Sequence, residues 1–350
     1  MKLKKRILVA PLNWGLGHAT RCIPIINALI TQGFEPIIAS DGVALQLLQK
    51  EFPQLTHIEI PSYNITYAKK GSLFKLKLIK DSPKMLKAFK AEKKAIKKIV
   101  ADYKIDGIIS DNRFGVYSKH IPSAFITHQL QVLSGTTTWF STKIHHKIIK
   151  KFNECWVPDN LDAPNLSGKL GHIDTPIIKT KYIGPLSRLK KTFESPQYDV
   201  MVLLSGPEPQ RSFLEEKLLH EFNSFNGKVV FVKGKIEHSQ TKETFNNITV
   251  VNFMTSNELE NTINKSKLII SRSGYTTVMD LAKLSKKAFF IPTPGQTEQE
   301  YLAKKLDDDG LVPYCNQNDF TIKALEKVKD YQGLTTFDYE VNYKKLFGLF

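Results

Sequence analysis

Cysteine is scarce in this chain of 350 residues: Cys22, Cys155 and Cys315 are odd in number, far apart and never in C-x-x-C spacing. That pattern argues against a disulfide framework and a structural zinc site, and it points to a reducing compartment. Long apolar runs are also missing, and no stretch nears the roughly 20 residues needed to span a bilayer. The opening MKLKKRILVAPLNWG carries the charge of a secretory leader, but its apolar run at 7–12 is broken by Pro11 and is too short for one. Acid is in deficit, 34 aspartates and glutamates against 50 lysines and arginines, for a net charge of +16. A full G-x-G-x-x-G is not formed by Gly15-Leu-Gly17-His18; Asp41 follows at a suitable distance, yet as a dinucleotide fingerprint the pair is weak.

The positive charge is concentrated. Residues 69–98 hold twelve lysines against Asp81 and Glu92, ten of the sixteen net charges, and 143–151 (KIHHKIIKK) form a second basic cluster. Such charge favours anionic partners, a membrane surface or nucleic acid. The 69–98 stretch also carries apolar residues, among them Phe74, Met85, Phe89, Ile96 and Ile99. It reads equally as a membrane-facing interfacial helix or a dock for an anionic acceptor and as a solvated face. Its two aromatics, Phe74 and Phe89, are too few for a base-stacking platform, so no nucleic acid is expected.

Elsewhere short apolar runs bounded by turn residues alternate with helical spacing, which predicts α/β structure. Residues 7–10, 35–40, 55–60, 105–110 and 124–127 read as strands, with one or two helices ending near 100 and a break at Ser82-Pro83. The pattern restarts after 185–197, with strands expected at 199–204, 228–232, 248–252, 267–271 and 288–291. Two doubly wound, Rossmann-like domains facing each other across a cleft are the expectation: 1–186, then 187–330, then a tail at 331–350 that possibly packs back on the first domain.

Ligands of such sheets bind beyond the carboxyl ends of the strands. At those positions stand Gly15, Gly17 and His18; Asp111 and Arg113; His128; Ser205, Gly206 and Glu208; Phe253 and Met254; Arg272, Ser273 and Gly274; and the loop 293–299. Around 268–305 a glycine-bearing turn at a helix start, an acid (Asp280) and a polar loop converge as a nucleotide-sugar pocket, because free helix N–H groups favour an anion. His18, at a helix start, suits a proton acceptor near neutral pH; a capping turn with an exposed imidazole is the alternative. A solvated carboxylate is the plain alternative for Asp280, and a surface arginine for Arg272. Asp307-Asp308-Asp309 contains D-x-D but ends a helix, so no metal is expected.

The block LIISRSGYTTVMDLA…AFFIPTPGQTEQEYLA, with WGLGHATR near the start and IGPLSR at 183–188, resembles the MurG-like GT-B glycosyltransferases of family 28. The resemblance implies that Arg188, Ser205, Gly206, Ser273 and Gly274 hold a diphosphate, with Arg272 beside them. Phe253 and Met254 would border the base, Asp280 the ribose, and Gln299 and Glu300 the donor sugar. Gly15, Gly17, Arg21 and His128 would lie on the acceptor side, with His18 or Asp111 as base. The implied activity is a metal-independent, cofactor-free, inverting transfer from a UDP-sugar, GlcNAc or a relative, to a lipid-linked or other anionic acceptor. It would take place in the cytoplasm, at the inner face of the membrane. A UDP-sugar 2-epimerase of the same fold and a basic binding protein for nucleic acid or anionic lipid remain as alternatives.

Overall fold

Ile7, Leu8, Val9 and Ala10 have no exposed surface, because the strand they form, β1 (Arg6–Pro11), lies inside a seven-stranded sheet. The computed structural model describes residues 4–63, 74–133, 138–206, 208–235, 237–335, 337 and 340–350, with side chains in the long third helix described from Lys87 onward. The chain divides into two compact units, the second beginning at Leu189 and the first regaining the last eleven residues, 340–350.

The first unit contains β1, α1 (Gly17–Thr31), β2 (Glu35–Ser40), α2 (Gly42–Glu51), β3 (Thr56–Glu59), α3 (Phe74–Asp102), β4 (Gly107–Asp111), β5 (Ser123–Ile126), α4 (Thr138–Ile149), β6 (Glu154–Val157) and β7 (Lys179–Tyr182). Its sheet runs β3-β2-β1-β4-β5-β6-β7 with every pairing parallel. The order reverses between β1 and β4, which opens a crevice at their carboxyl ends. Asp111 closes β4 rather than following it, since it pairs with Pro11 in register and its carbonyl accepts Leu12 N–H at 2.9 Å.

α3 is one helix that passes through Pro83 without a break, contrary to the interruption expected there. Ile96 and Ile99 are buried with Leu8, Ile37 and Ile108, and Phe89 packs against the core around Phe125. From Phe89 onward the apolar stripe therefore belongs to the core. The possible membrane-facing reading of 69–98 falls for its first part outside the described residues and side chains.

The second unit holds β8 (Tyr198–Leu203), α5 (Gln210–Phe222), β9 (Val229–Val232), β10 (Lys242–Phe245), β11 (Ile248–Val251), α6 (Ser256–Asn264), β12 (Ser266–Ser271), α7 (Tyr275–Lys283), β13 (Lys287–Phe290) and α8 (Thr297–Asp308). The order is β10-β11-β9-β8-β12-β13, parallel except for the β10–β11 hairpin. β10, whose four residues KETF are all exposed, escapes any hydrophobic pattern. Here too the order reverses, between β8 and β12, so that the loops after Leu203 and Ser271 flank the crevice.

The final residues form α9 (Tyr343–Leu346) and a turn that returns to the first unit. Phe347 meets Phe34 edge-on at 5.8 Å, Phe350 meets Trp156 at 6.1 Å, and a Cβ on Gly107 would lie 2.3 Å from the Phe350 ring.

Candidate active site

In the first unit the β1–β4 crevice holds a buried charged cluster. Asp111 at the end of β4 has no exposure, and Arg21, one turn into α1, has 2%. Arg21 Nε donates to Asp111 Oδ2 at 2.5 Å while Nη2 donates to Oδ1, a two-point fork. Arg21 Nη1 lies 3.2 Å from His128 Nδ1, and Cys22 Sγ–H points at Asp111 Oδ2 from 3.6 Å. His18 Nδ1 stands 2.9 Å from Asp111 Oδ1 and 2.9 Å from Arg21 Nη2.

One Nη2 hydrogen is directed at the carboxylate, and in the tautomer that carries its proton on Nδ1 the His18–Asp111 contact is a hydrogen bond donated to Oδ1. Nε2 then bears the lone pair. This is the logic by which a carboxylate fixes the tautomer of a general base. Burial and the neighbouring Arg21 charge lower the His18 pKa below its usual 6.5 against the opposing pull of Asp111. Burial pushes the Asp111 carboxyl upward, but Arg21 and His18 outweigh it and hold the group far below the ordinary carboxylate range.

The structure thus brings His18, Arg21, Asp111 and His128 together. Gly15 lies on the loop before α1 and Gly17 opens that helix; Gly15 has φ +73° and a Cβ on it would touch nothing within 4 Å.

A second buried cluster braces that loop. Arg113 Nε donates to Glu92 Oε1 and Nη1 to Asp41 Oδ1, both at 2.6 Å, and Tyr63 Oη donates to Glu92 Oε2 at 2.5 Å. Asn13 Nδ2 donates to the other oxygen of Asp41 at 2.9 Å. Asp41 and Arg113 therefore join the ends of β1, β2 and β4, and Asp41 is engaged by protein rather than poised for a ribose.

In the second unit, Gly274 caps α7 with no side-chain capping bond, and a Cβ there would meet open space. Its φ of −67° needs no glycine, so what glycine supplies is room beside the positive end of the helix. Across the crevice, Gly206 adopts φ +101° on an exposed turn with Ser205. A Cβ on Gly206 would lie 3.9 Å from Thr293 Oγ1, a buried hydroxyl without a hydrogen-bond partner. Thr293 belongs to the polar loop read as a site, but nothing in the sequence marks it above its neighbours.

Ser273 is buried and donates to the carbonyl of Gln299 at 2.7 Å. Gln299 Oε1 accepts Thr293 N–H at 2.8 Å, and Glu300 Oε1 accepts Gly295 N–H at 2.8 Å, so both side chains shape the loop. Phe253 and Met254 are half-buried beyond β11, and Asp280 is half-buried on α7.

Two arginines stand elsewhere than expected. Arg272 is buried within its unit: Nη1 donates to the carbonyls of Ile291 (3.0 Å) and Pro292 (3.1 Å), and Nη2 to Gln210 O (2.9 Å) and Gln317 Oε1 (2.6 Å). Desolvation brings its pKa down to about 10. Its four terminal donors tie loop ends together, while its buried Nε has no hydrogen-bond partner. Arg188 belongs to the first unit, where Nη1 lies 3.5 Å from Glu51 Oε1. The aspartates at the end of α8 likewise have protein partners: Asp308 and Asp309 pair with Lys304 and Lys305, and Asp307 accepts Tyr331 Oη at 2.5 Å.

Known proteins resemble this chain in sequence and in fold. Residues 209–332 match the glycosyltransferase family 28 C-terminal domain. A UDP-N-acetylglucosamine--N-acetylmuramyl-(pentapeptide) pyrophosphoryl-undecaprenol N-acetylglucosamine transferase of Clostridium tetani is 27% identical, over 92% of this chain and 88% of that protein. Its counterpart from Haemophilus ducreyi is 24% identical over 95% and 92%. The chain thus carries a family 28 C-terminal domain and is similar to MurG-like glycosyltransferases over most of its length. The GT-B fold agrees: Acinetobacter baumannii MurG superposes with a TM-score of 0.56 at 16% identity, covering 93% of this chain and 90% of that one. The spinosyn rhamnosyltransferase SpnG does so at 0.65 and 13%, covering 98% and 95%.

One surface carries a signal that the sequence reading leaves out. On α4, Trp139 and Phe140 are 71% and 61% exposed, Ile144 is also exposed, and Lys143 Nζ sits 4.7 Å above the Trp139 ring. Its signal was the Trp-Phe pair beside the basic cluster at 143–151, of which only the charge was read.

Proposed function

We propose that this glycosyltransferase moves a sugar, GlcNAc or a close relative, from UDP to a hydroxyl of a lipid-linked or glycan acceptor, with inversion and without a metal. The observation that carries the reading is the His18–Asp111 contact of 2.9 Å at the β1–β4 crevice, with Nε2 left as the basic nitrogen. His18 Nε2 takes the acceptor proton as the acceptor oxygen attacks the anomeric carbon. The bond from that carbon to the diphosphate oxygen breaks, and UDP leaves with the electron pair. A single displacement of this kind inverts the anomeric centre.

Asp111 is not the base: it is enclosed and its oxygens are occupied by Arg21, His18 and Cys22. Its part is to orient the imidazole and to stabilise the imidazolium as it forms. The leaving diphosphate lies at the uncapped start of α7, beside Gly274, Ser205 and Gly206, where helix N–H groups offset its charge. Phe253 and Met254 border the base and Asp280 the ribose, as the family resemblance implies. The acceptor arrives from an anionic membrane surface at the cytoplasmic face. The exposed aromatics of α4 with their lysines supply the apolar and electrostatic halves of such binding.

The test is a nucleotide panel followed by turnover. UDP and UDP-GlcNAc at 100-fold their dissociation constants should stabilise the chain by about 2.7 kcal/mol. UDP should then be released only when an acceptor in anionic vesicles is supplied. Absence of any nucleotide effect overturns the reading, and so does epimer formation from a UDP-sugar alone.

A further inference from the structure

Beyond the carboxyl ends of β5, β6 and β7, wholly within the first unit, lies a cavity of about 720 Å³. Its apolar wall includes Leu130, Pro164, Ile173 and Tyr182, and among the described residues its charged lining groups are Asp162 and Asp174. In a chain with a net charge of +16, this cavity has an acidic rim. The alternation of β7 accounts for that. Thr180 and Tyr182 face the cavity, while Lys179 and Lys181 turn to the other face and pair with Glu154, each at 2.8 Å.

The walls are built in advance of any ligand. Asp159, with no exposure, accepts the N–H groups of Asn160 and Leu166 at 2.8 Å and of Ser167 at 2.7 Å, which closes the loop carrying Asp162 and Pro164. The His172 ring lies flat against Tyr182, centroids 4.8 Å apart, and its Nε2 is 2.9 Å from the Asn160 carbonyl. Leu130 on the floor is two residues from His128, the partner of Arg21 in the His18 cluster. The volume suits a ligand of drug size.

We propose that this cavity is an acceptor subsite for an apolar group carrying a protonated amine. The apolar part lies on Leu130, Ile173 and Tyr182, and the ammonium lies between Asp162 and Asp174. The assignment deepens the transferase reading and rests on its placing of the acceptor on the first unit. It also reverses the charge expected from composition: at this subsite a cation is selected and an anion repelled.

The experiment uses the full chain with three probes of one shape, 4-phenylbutylamine, 4-phenylbutanol and 4-phenylbutyrate, followed by calorimetry and by chemical shifts. The amine should bind most tightly, the alcohol several-fold more weakly, and the carboxylate more weakly again. Asp162 and Asp174 are exposed, where ion pairs are weak, so D162N/D174N should weaken the amine by about tenfold and leave the alcohol unchanged. Ala163→Trp, which fills the mouth, should weaken all three. Equal affinity for amine and carboxylate, or an amine affinity untouched by D162N/D174N, overturns the proposal. UDP is titrated into the same samples: retained UDP binding with no amine preference rejects the subsite alone, whereas loss of UDP binding in the unmodified chain rejects the transferase reading itself.

Discussion

Replacing Asp111 by asparagine leaves the Arg21 guanidinium, 2% exposed, facing a neutral amide where it now has a two-point carboxylate. Breaking a buried ion pair from one side costs about 3–5 kcal/mol, because the remaining charge stays desolvated. For a unit of this size that corresponds to a fall in melting temperature of roughly 6–20 °C. The assay is direct, since Trp14, Trp139 and Trp156 all lie in the first unit and tryptophan fluorescence in urea follows that unit. The deficit should depend on pH. The Asp111 carboxyl titrates far lower in the folded chain than the ~3.9 of an unfolded aspartate, so its contribution is complete above about pH 5 and withdrawn as pH falls through the folded value. The gap between D111N and the parent should therefore narrow below about pH 4. Adding Arg21→Met should recover part of the stability, with a coupling of about 0.5–3 kcal/mol, and should restore no activity. A D111N protein within 1 kcal/mol of the parent at pH 7, or a gap that is constant with pH, would refute the picture of an ionised buried pair.

Three further outcomes follow from the same geometry. His18→Ala should lower turnover by about 10²–10⁴ while UDP still stabilises the chain in a thermal shift, and normal turnover would remove His18 as base. Since burial and Arg21 lower its pKa, the acid limb of kcat/KM should be centred below the ordinary 6.5 of an imidazole and be absent in that variant; a decline centred above 7 contradicts it. Gly274→Val should fold normally, as a Cβ there meets open space, yet raise KM for the donor at least tenfold; unchanged donor binding moves the diphosphate elsewhere. Finally, W139E/F140E should abolish sedimentation with anionic vesicles and spare UDP binding, whereas undiminished sedimentation would exclude α4 as the contact.

The two strand–turn–helix junctions were legible because each pairs a buried apolar run with a glycine where the chain must turn. Residues 7–10 and 267–271 needed no tertiary information to be read as strands. Arg21 and Asp111, by contrast, are 90 positions apart, and no periodicity links them. Their meeting is a product of the parallel order that sets β1 beside β4. The misread of Arg272 has the same origin. A basic residue at a strand end reads the same whether it faces a ligand or four carbonyl and amide oxygens of its own unit, and only the return of 291–292 and 317 decides. The tail could not be placed by pattern, since its aromatic residues have no helical or strand spacing and take their positions from Phe34 and Trp156.

Those last residues set an order of events on the ribosome. Gly107 and Trp156 are translated long before Phe350, which covers both. Until it arrives, the sheet of the first unit has an open apolar seam, even though all seven of its strands have already emerged. The intervening residues build the second unit, which can fold while the first is still waiting. A chain cut anywhere after Arg188 would thus yield a first unit with every strand present and its last aromatic packing missing, a species for holdase chaperones to recognise.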